Sequence, residues 1–428
     1  MREGPCRAAI ASAAPADAAQ ILRKSCANPV NRDAPASREF TISPTMTTHL
    51  TLIVPFSVPP GADTEGLDEP NGAGGGIAGA LLRQLELPAL GKLLTRAGAT
   101  ARERHGAGYD PTALRSLPHE RWLAARAGLD TARVPTAPYM RLADHGAAAA
   151  GRDEGSWVCL QPVHIHAARD HLVLMDPALL TLDAAESAAL REAIAPLLDD
   201  SGIALDAPHP GRWYLPEAVF GPLDATPPLR AAGRNIDVWM QSGPRERDWR
   251  RLQNEIQMTW FDHPVNQARE ANGALPVNSV WLHGGGALRP VPRLADTVLA
   301  DDPLLRGLAL AGGAACRPLP SSLASLESLD SLQAGGSAMA LLDACVSAYI
   351  AEDWGSWIER LHALEADWFA PALAALEAGR LQALTLVLGG DDHHAEFTVR
   401  RGDLRKFWRG LGMRGDWRAL LSDLALAA

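Results

Sequence analysis

Leu384–His394, read L-T-L-V-L-G-G-D-D-H-H, is the stretch that decides the fold. Its first five residues carry no charge and favour strands, which suits a strand buried on both faces. Such strands belong to parallel sheets with helices on either side. The run stops abruptly at two glycines, two carboxylates and two imidazoles, and open α/β sheets bind ligands outside the carboxyl ends of their strands. Two other stretches share this form: Leu50–Phe56, and Val277–Leu282 running into Gly284-Gly285-Gly286. The expected fold is α/β, a core sheet flanked by helices, with β-hairpin insertions.

Outward from these strands, helix and strand signals alternate. Trp157–His166 and His171–Met175 flank the turn Ala-Ala-Arg-Asp and predict a hairpin, with Pro162 marking an edge position or a bulge. Asp183 stands three residues before Glu186, an Asp form of the capping box. The helix it opens has Leu190, Ile194, Leu197 and Leu198 as its stripe and Gly202 as its end. Ile203–Leu205 with Trp213–Leu215 predicts a second hairpin. Arg245–Phe261 reads as an amphipathic helix with Trp249, Leu252, Ile256 and Trp260 on one face, closed by Pro264. Further helices are expected at Ala78–Gln84, Leu87–Ala97 and Leu404–Leu411, and across Met339–Leu376 with breaks near Gly355 and Pro371. Glu396–Arg400 is expected as an edge strand.

The chain has 428 residues, 47% hydrophobic and 21% charged, with 40 Lys+Arg against 50 Asp+Glu and a net charge of −10. That apolar share excludes wholesale disorder. The acidic balance argues against a dedicated nucleic-acid binder, which needs a basic stripe to neutralise phosphates. No apolar run nears the roughly 20 residues that a membrane span requires. The cysteines Cys6, Cys26, Cys159, Cys316 and Cys345 are odd in number and never spaced C-x-x-C, which fits free thiols in a reducing cytoplasm. Residues 1–45 show neither helix nor strand periodicity and are expected to be a disordered extension, with Met46 as an alternative start. One α/β domain is expected over 46–428, with an inserted hairpin region around 157–240.

Three constellations have residue types suited to chemistry. Asp391, Asp392, His393 and His394 offer oxygen and nitrogen donors for Zn²⁺, Mn²⁺ or Mg²⁺, or else form a polar turn into the next strand. Asp262–Gly286 reads D-H-P-V-N-Q-A-R-E-A-N-G-A-L-P-V-N-S-V-W-L-H-G-G-G. In it His263, Asn266, Arg269, Asn278 and His283 are ligand-binding candidates for a phosphate or carboxylate, and Gly284, Gly285 and Gly286 would let backbone approach it. The alternative is a helix stop and tight-turn scaffold. His164 and His166 share a strand face, and His171 across the turn would complete a three-imidazole metal site or simply sit on an exposed hairpin. The scattered tryptophans, Trp239 and Trp354 among them, are expected to pack in the core. No G-x-S-x-G, G-x-x-x-x-G-K-[ST] or H-E-x-x-H motif occurs, which removes most of the case for serine hydrolases, P-loop proteins and zincins.

The Asp262–Gly286 string resembles the archaeal-type cofactor-independent phosphoglycerate mutases of the alkaline-phosphatase superfamily, where H-P-x-N-x-x-R precedes a P-x-N strand ending in a Gly-rich loop. Together with Leu87-Pro88-Ala89-Leu90, Leu93-Leu94, Pro162-Val163-His164 and Phe407-Trp408-Arg409, most of 50–412 is similar to a bacterial family of RpfE-type regulatory proteins. The resemblance implies an alkaline-phosphatase-like core sheet. It also brings out departures. Active members end their first strand in Asp-Gly, whose Asp binds metal, and carry a Ser or Thr nucleophile downstream. Here the strand runs into Val54-Pro55-Phe56-Ser57, the next carboxylate is Asp63, and only Asp392-His393 echoes the closing Asp-His pair. Ser57 is a conceivable nucleophile, with nothing in the sequence to activate it. Phosphoryl transfer at such sites rests on charge neutralisation by metal. The expectation is therefore a regulatory or small-anion-binding protein without metal-dependent catalysis, taking a phosphorylated or carboxylate ligand or a regulatory protein partner. The rival is an active metal-dependent phosphomutase or phosphatase with a rearranged site built from Asp391, Asp392, His393, His394 and His263.

Overall fold

The computed structural model describes residues 47–61, 76–104, 115–146, 155–325, 336–406, 408 and 416–426. The expected extension 1–45, Cys6, Cys26, Asp63, residues 72–75, Phe407 and Arg409 lie outside them. Among the described residues the strands are β1 (Thr47–Val54), β2 (Ala99–Arg104), β3 (Ser156–Val163), β4 (Ile165–Ala167), β5 (Leu172–Leu174), β6 (Asp206–His209) and β7 (Arg212–Pro216). They continue with β8 (Ser279–Ala287), β9 (Thr297–Leu299), β10 (Ala315–Arg317), β11 (Ser337–Leu341), β12 (Leu381–Gly389) and β13 (His393–Arg400).

The main sheet has seven strands in the order β10-β9-β11-β1-β12-β13-β2. From β10 to β12 all neighbours are parallel, and β13 and β2 extend the sheet antiparallel. Ile53 pairs with both Leu341 and Val387. Because side chains alternate along a strand, Leu50, Leu52 and Val54 enter one core while Ile53 enters another. The first core is covered by helices Ile77–Gln84, Pro88–Arg96, Trp354–Leu364, Ala370–Ala378 and Trp417–Leu426. The second is covered by Pro118–Ala127, Thr136–His145 and Pro303–Ala311. Each buried Leu or Ile in these layers stabilises by roughly 1.5–3 kcal/mol. The fold is α/β, a large central sheet flanked by helices.

A second, antiparallel sheet, β6-β7-β3-β8, stands beside the first, and β4 and β5 pair separately as a hairpin. Its Cys159 and Tyr214 share the second core with Thr136–His145, while its other face packs on Ala184–Asp200 and Glu246–Phe261. Local chemistry sets those two helices. Asp183 accepts from the Ala185 and Glu186 N–H groups while Glu186 accepts from the Asp183 N–H, the reciprocal cap expected. Trp249, Leu252, Ile256 and Trp260 are all buried.

Several expectations are corrected. Met339–Leu341 is strand β11, not helix. Glu396–Thr398 is an interior part of β13, because β2 forms the edge beyond it, and only Val399 and Arg400 run past the last β2 pair. Pro264 does not simply close a helix; it opens the next one, Pro264–Ala271. Pro162 lies in an interior strand, past the last β3–β7 pair at Leu160 and Trp213, so no β7 carbonyl awaits the missing N–H. Near Pro371 the helical chain widens into a π turn over Glu365–Phe369, and the Glu365 carboxylate accepts from the Leu90 N–H, helping to cap helix Pro88–Arg96. No described helix is long and apolar enough to cross a membrane.

Candidate functional site

Asp262–Gly286 folds into a helix, a turn and β8, and the fold itself engages most of its polar groups, leaving Arg269 Nη2 and His283 Nδ1 buried without a partner. His263 caps the helix, its Nδ1 accepting from the Val265 N–H at 3.2 Å. Asn266 is buried, and its amide donates to the Trp260 and Val277 carbonyls while its oxygen accepts from the Val277 N–H, all at 2.8 Å. Arg269, 4% exposed, donates to the Leu275 and Thr181 carbonyls and pairs with Glu186 at 2.7 Å. Asn278 behaves like a strand residue, exchanging two 2.8 Å bonds with the Ile165 N–H and carbonyl. His283 lies inside β8, 3.1 Å from Gln161 Oε1, and burial pushes its imidazole down to about 3.

The glycines are also structural. Gly284, Gly285 and Gly286 continue β8 instead of forming a ligand loop past its end, which corrects the sequence expectation. Thr136–His145 crosses so close that a Cβ on Gly284, held at φ 71°, would strike Thr136, and one on Gly286 would strike Pro135. Gly284 and Gly285 line a small crevice with Arg115 and Arg133, apart from the 391–394 turn.

The three-imidazole arrangement does not assemble. His164 Nδ1 bonds the Pro276 carbonyl at 2.8 Å, His166 is exposed, and His171 pairs with Asp170 at 2.7 Å. Nor do Asp391–His394 gather around one point. Asp391 and Asp392 form the turn between β12 and β13, closed by Gly390 N–H donating to the His393 carbonyl at 2.9 Å, and His393 and His394 open β13. Successive strand residues face opposite ways, so His393 lines an open cleft while His394 turns towards buried His119. Burial pushes both His394 and His119 down to about 4, and the charge of His394 adds to the effect on His119.

Arginines engage both carboxylates. Asp391 pairs with Arg230 at 2.7 Å and Arg234 at 2.6 Å. Asp392 pairs with Arg104 at 2.9 Å and His393 Nδ1 at 2.8 Å. Burial would raise Asp392, but the His393 hydrogen bond and the Arg104 guanidinium outweigh it and hold it at about 2. At the end of β1, Pro55 has no donor and the buried Ser57 hydroxyl donates to the Val54 carbonyl at 2.7 Å. Among the described residues no group of three or more His, Cys, Asp or Glu is placed to hold a metal ion. The described side chains here, with both carboxylates already paired to arginines, do not make the donor set of the divalent cations that the resemblance implies.

What the turn does build is the wall of a cleft of about 690 Å³ at the carboxyl ends of β1, β2 and β12. Its polar lining includes Arg104, Arg234, Asp391, Asp392 and His393, and its aromatic lining Phe56, Trp239, Tyr349 and Trp354, with Arg234 over the Trp239 ring at 6.0 Å. Two backbone outliers flank it. Phe56 and Glu352 both sit at φ 53°, the non-glycine residues with positive φ among those described, and both line the cleft. Each such conformation costs about 1–3 kcal/mol, and strain of this kind clusters at ligand sites. Phe56 is held there by its carbonyl, which accepts from Trp357 Nε1 at 2.7 Å. His393 Nε2 is buried without a hydrogen-bond partner, its ring resting against Gly390. Sequence reading missed Arg104, Arg230, Arg234 and Tyr349. The available signal was R-A-A-G-R-N over Arg230–Asn235, two arginines four apart on either side of a glycine, shortly before Trp239.

The chain is similar in structure to the cofactor-independent phosphoglycerate mutase of Thermoplasma acidophilum, at 13% identity and TM-score 0.36, over 83% of this chain and 90% of that one. It is similar also to the PH0037 protein of Pyrococcus horikoshii, at 12% identity and TM-score 0.44, over 83% and 88%. No family model matches the chain, and neither does any curated protein.

Proposed function

We propose that this chain is a phosphoglycerate mutase-like protein that binds a small anion in the cleft at the carboxyl edge of the main sheet, in a regulatory role of the RpfE type and without metal-dependent catalysis. One observation carries the reading. Where a two-metal enzyme needs carboxylates open to cations, Asp391 and Asp392 are compensated by Arg230, Arg234 and Arg104. Arg230 is 1% exposed on its side chain, so its charge is built into the wall. A carboxylate held this way is a poor cation ligand, whereas the guanidiniums it orients suit a phosphate or carboxylate. Arg234 and Arg104 both line the cleft, 35% and 42% exposed, and Arg234, which shares Asp391 with buried Arg230, sits where two guanidiniums meet one carboxylate.

The test combines elemental analysis with thermal shift. Purified protein should carry no stoichiometric divalent metal, and a phosphorylated three-carbon acid or inorganic phosphate should raise its melting temperature, an effect lost in Arg234→Gln. Bound metal with phosphomutase or phosphatase turnover abolished by chelation would overturn the reading. So would the absence of stabilisation by any anion.

A further inference from the structure

We infer that the ligand of this cleft is an anion joined to a planar ring, the chemical class of a nucleoside monophosphate, with its ring against Trp354 and its anion at Arg234. The inference rests on the anion-binding reading and adds the second half of the ligand. A cleft of about 690 Å³ lies in the roughly 300–1,000 Å³ range of sites for drug-sized molecules, and a three-carbon acid would fill little of it.

The cleft also has an ordered aromatic row, which begins beside the arginines, since the Gly233 backbone next to Arg234 packs on Ile350 next to Tyr349. Phe56 and Tyr349 approach to 4.9 Å between ring centroids, Tyr349 meets Trp354 at 5.5 Å and 87°, and Trp354 meets Trp357 at 6.2 Å and 82°. Phe56, Tyr349 and Trp357 are buried, while Trp354 is only half-buried and lines the cleft. Both ring neighbours meet Trp354 nearly perpendicular, so neither is stacked in parallel against it. The two strained residues lie beside this row, Phe56 within it and Glu352 two positions before Trp354. Strain is thus maintained where the aromatic wall is shaped. His393, whose Nε2 the fold leaves without a protein partner, lines the same cleft as Arg234 and Trp354.

The experiment is calorimetric titration of the full chain with inorganic phosphate, adenosine 5′-monophosphate and adenosine, repeated on Trp354→Ala, Trp354→Phe and Arg234→Gln. Melting curves of each variant establish that it is folded. The nucleotide should bind at least tenfold tighter than phosphate, the scale on which a stacked base contributes. Trp354→Ala should erase that preference and leave phosphate affinity unchanged, Trp354→Phe should restore most of it, and Arg234→Gln should weaken both anions. Equal affinity for nucleotide and phosphate in the native chain would overturn the planar-ring inference and leave the anion reading standing. A nucleotide preference that survives Trp354→Ala would overturn it as well. Failure of both anions to bind would overturn the two together.

Discussion

Two regions of this molecule differ in how their polar groups are used. In the Asp262–Gly286 region, Asn266 and Asn278 are saturated by main-chain groups, and Arg269 is engaged by two carbonyls and Glu186. At the carboxyl edge of the main sheet, by contrast, backbone strain, an unpartnered imidazole nitrogen and a roomy cleft coincide. A distinctive sequence string can therefore be distinctive because many short-range geometric demands meet in it. Unmet groups occur in both regions, since Arg269 Nη2 and His283 Nδ1 are buried without partners as His393 Nε2 is, so binding capacity is marked by an unmet group that opens onto a cleft large enough for a ligand.

The sharpest way to break this comparison is to remove a saturated group. Asn266→Ala strands the Val277 N–H and two carbonyls in a buried site, and should cost about 3–4 kcal/mol in urea unfolding. Ligand affinity of the folded fraction should not change. Gly284→Ala puts a methyl against Thr136 at a positive φ, and should cost about 3 kcal/mol by the same measurement.

Acid sensitivity is shared by the two regions. The unfolded chain takes up histidine protons near 6.5, whereas His283 in β8 does so only near 3 and His394 near 4. The unfolded state thus binds more protons between those values, and stability falls as pH drops below about 6.5. For His283 alone the loss at pH 5 should be about 2 kcal/mol, and His283→Gln should flatten the acid limb of a stability–pH curve by about that amount. Glu120, buried and pushed up to about 8 from 4.5, acts with the opposite sign, lowering stability as pH rises through that window.

The smallest effect tests the strain itself. Glu352 is exposed at φ 53°, so Glu352→Gly should raise stability by about 1 kcal/mol, since glycine adopts this conformation without a Cβ clash. An unchanged urea midpoint would remove Glu352 from the argument for a strained cleft.

Local signals carried the sequence reading where they were complete. The uncharged run Leu384–Leu388 reads as a buried strand, Trp249–Trp260 as a helix stripe, and Asp183 with Glu186 as a cap, because each needs only near neighbours. Strand β2, A-T-A-R-E-R, is exposed throughout and shows no apolar alternation, so nothing local marks it. Strand β11, S-A-M-A-L, is short and rich in helix-favouring residues, and only pairing with β1 and β9 makes it a strand. The cleft was illegible for a different reason. Phe56, Arg104, Arg234, Tyr349 and Asp391 come from five distant points in the chain, and only the sheet brings them together.

The central claim is that the anion site belongs to Arg234 and not to Arg269. Its most direct measurement is the affinity of the native chain, Arg234→Gln and Arg269→Gln for a phosphorylated three-carbon acid, under conditions where melting curves show all three folded. The account predicts that Arg234→Gln loses binding while Arg269→Gln keeps it and melts at a lower temperature. Binding that survives in Arg234→Gln and vanishes in Arg269→Gln would contradict it.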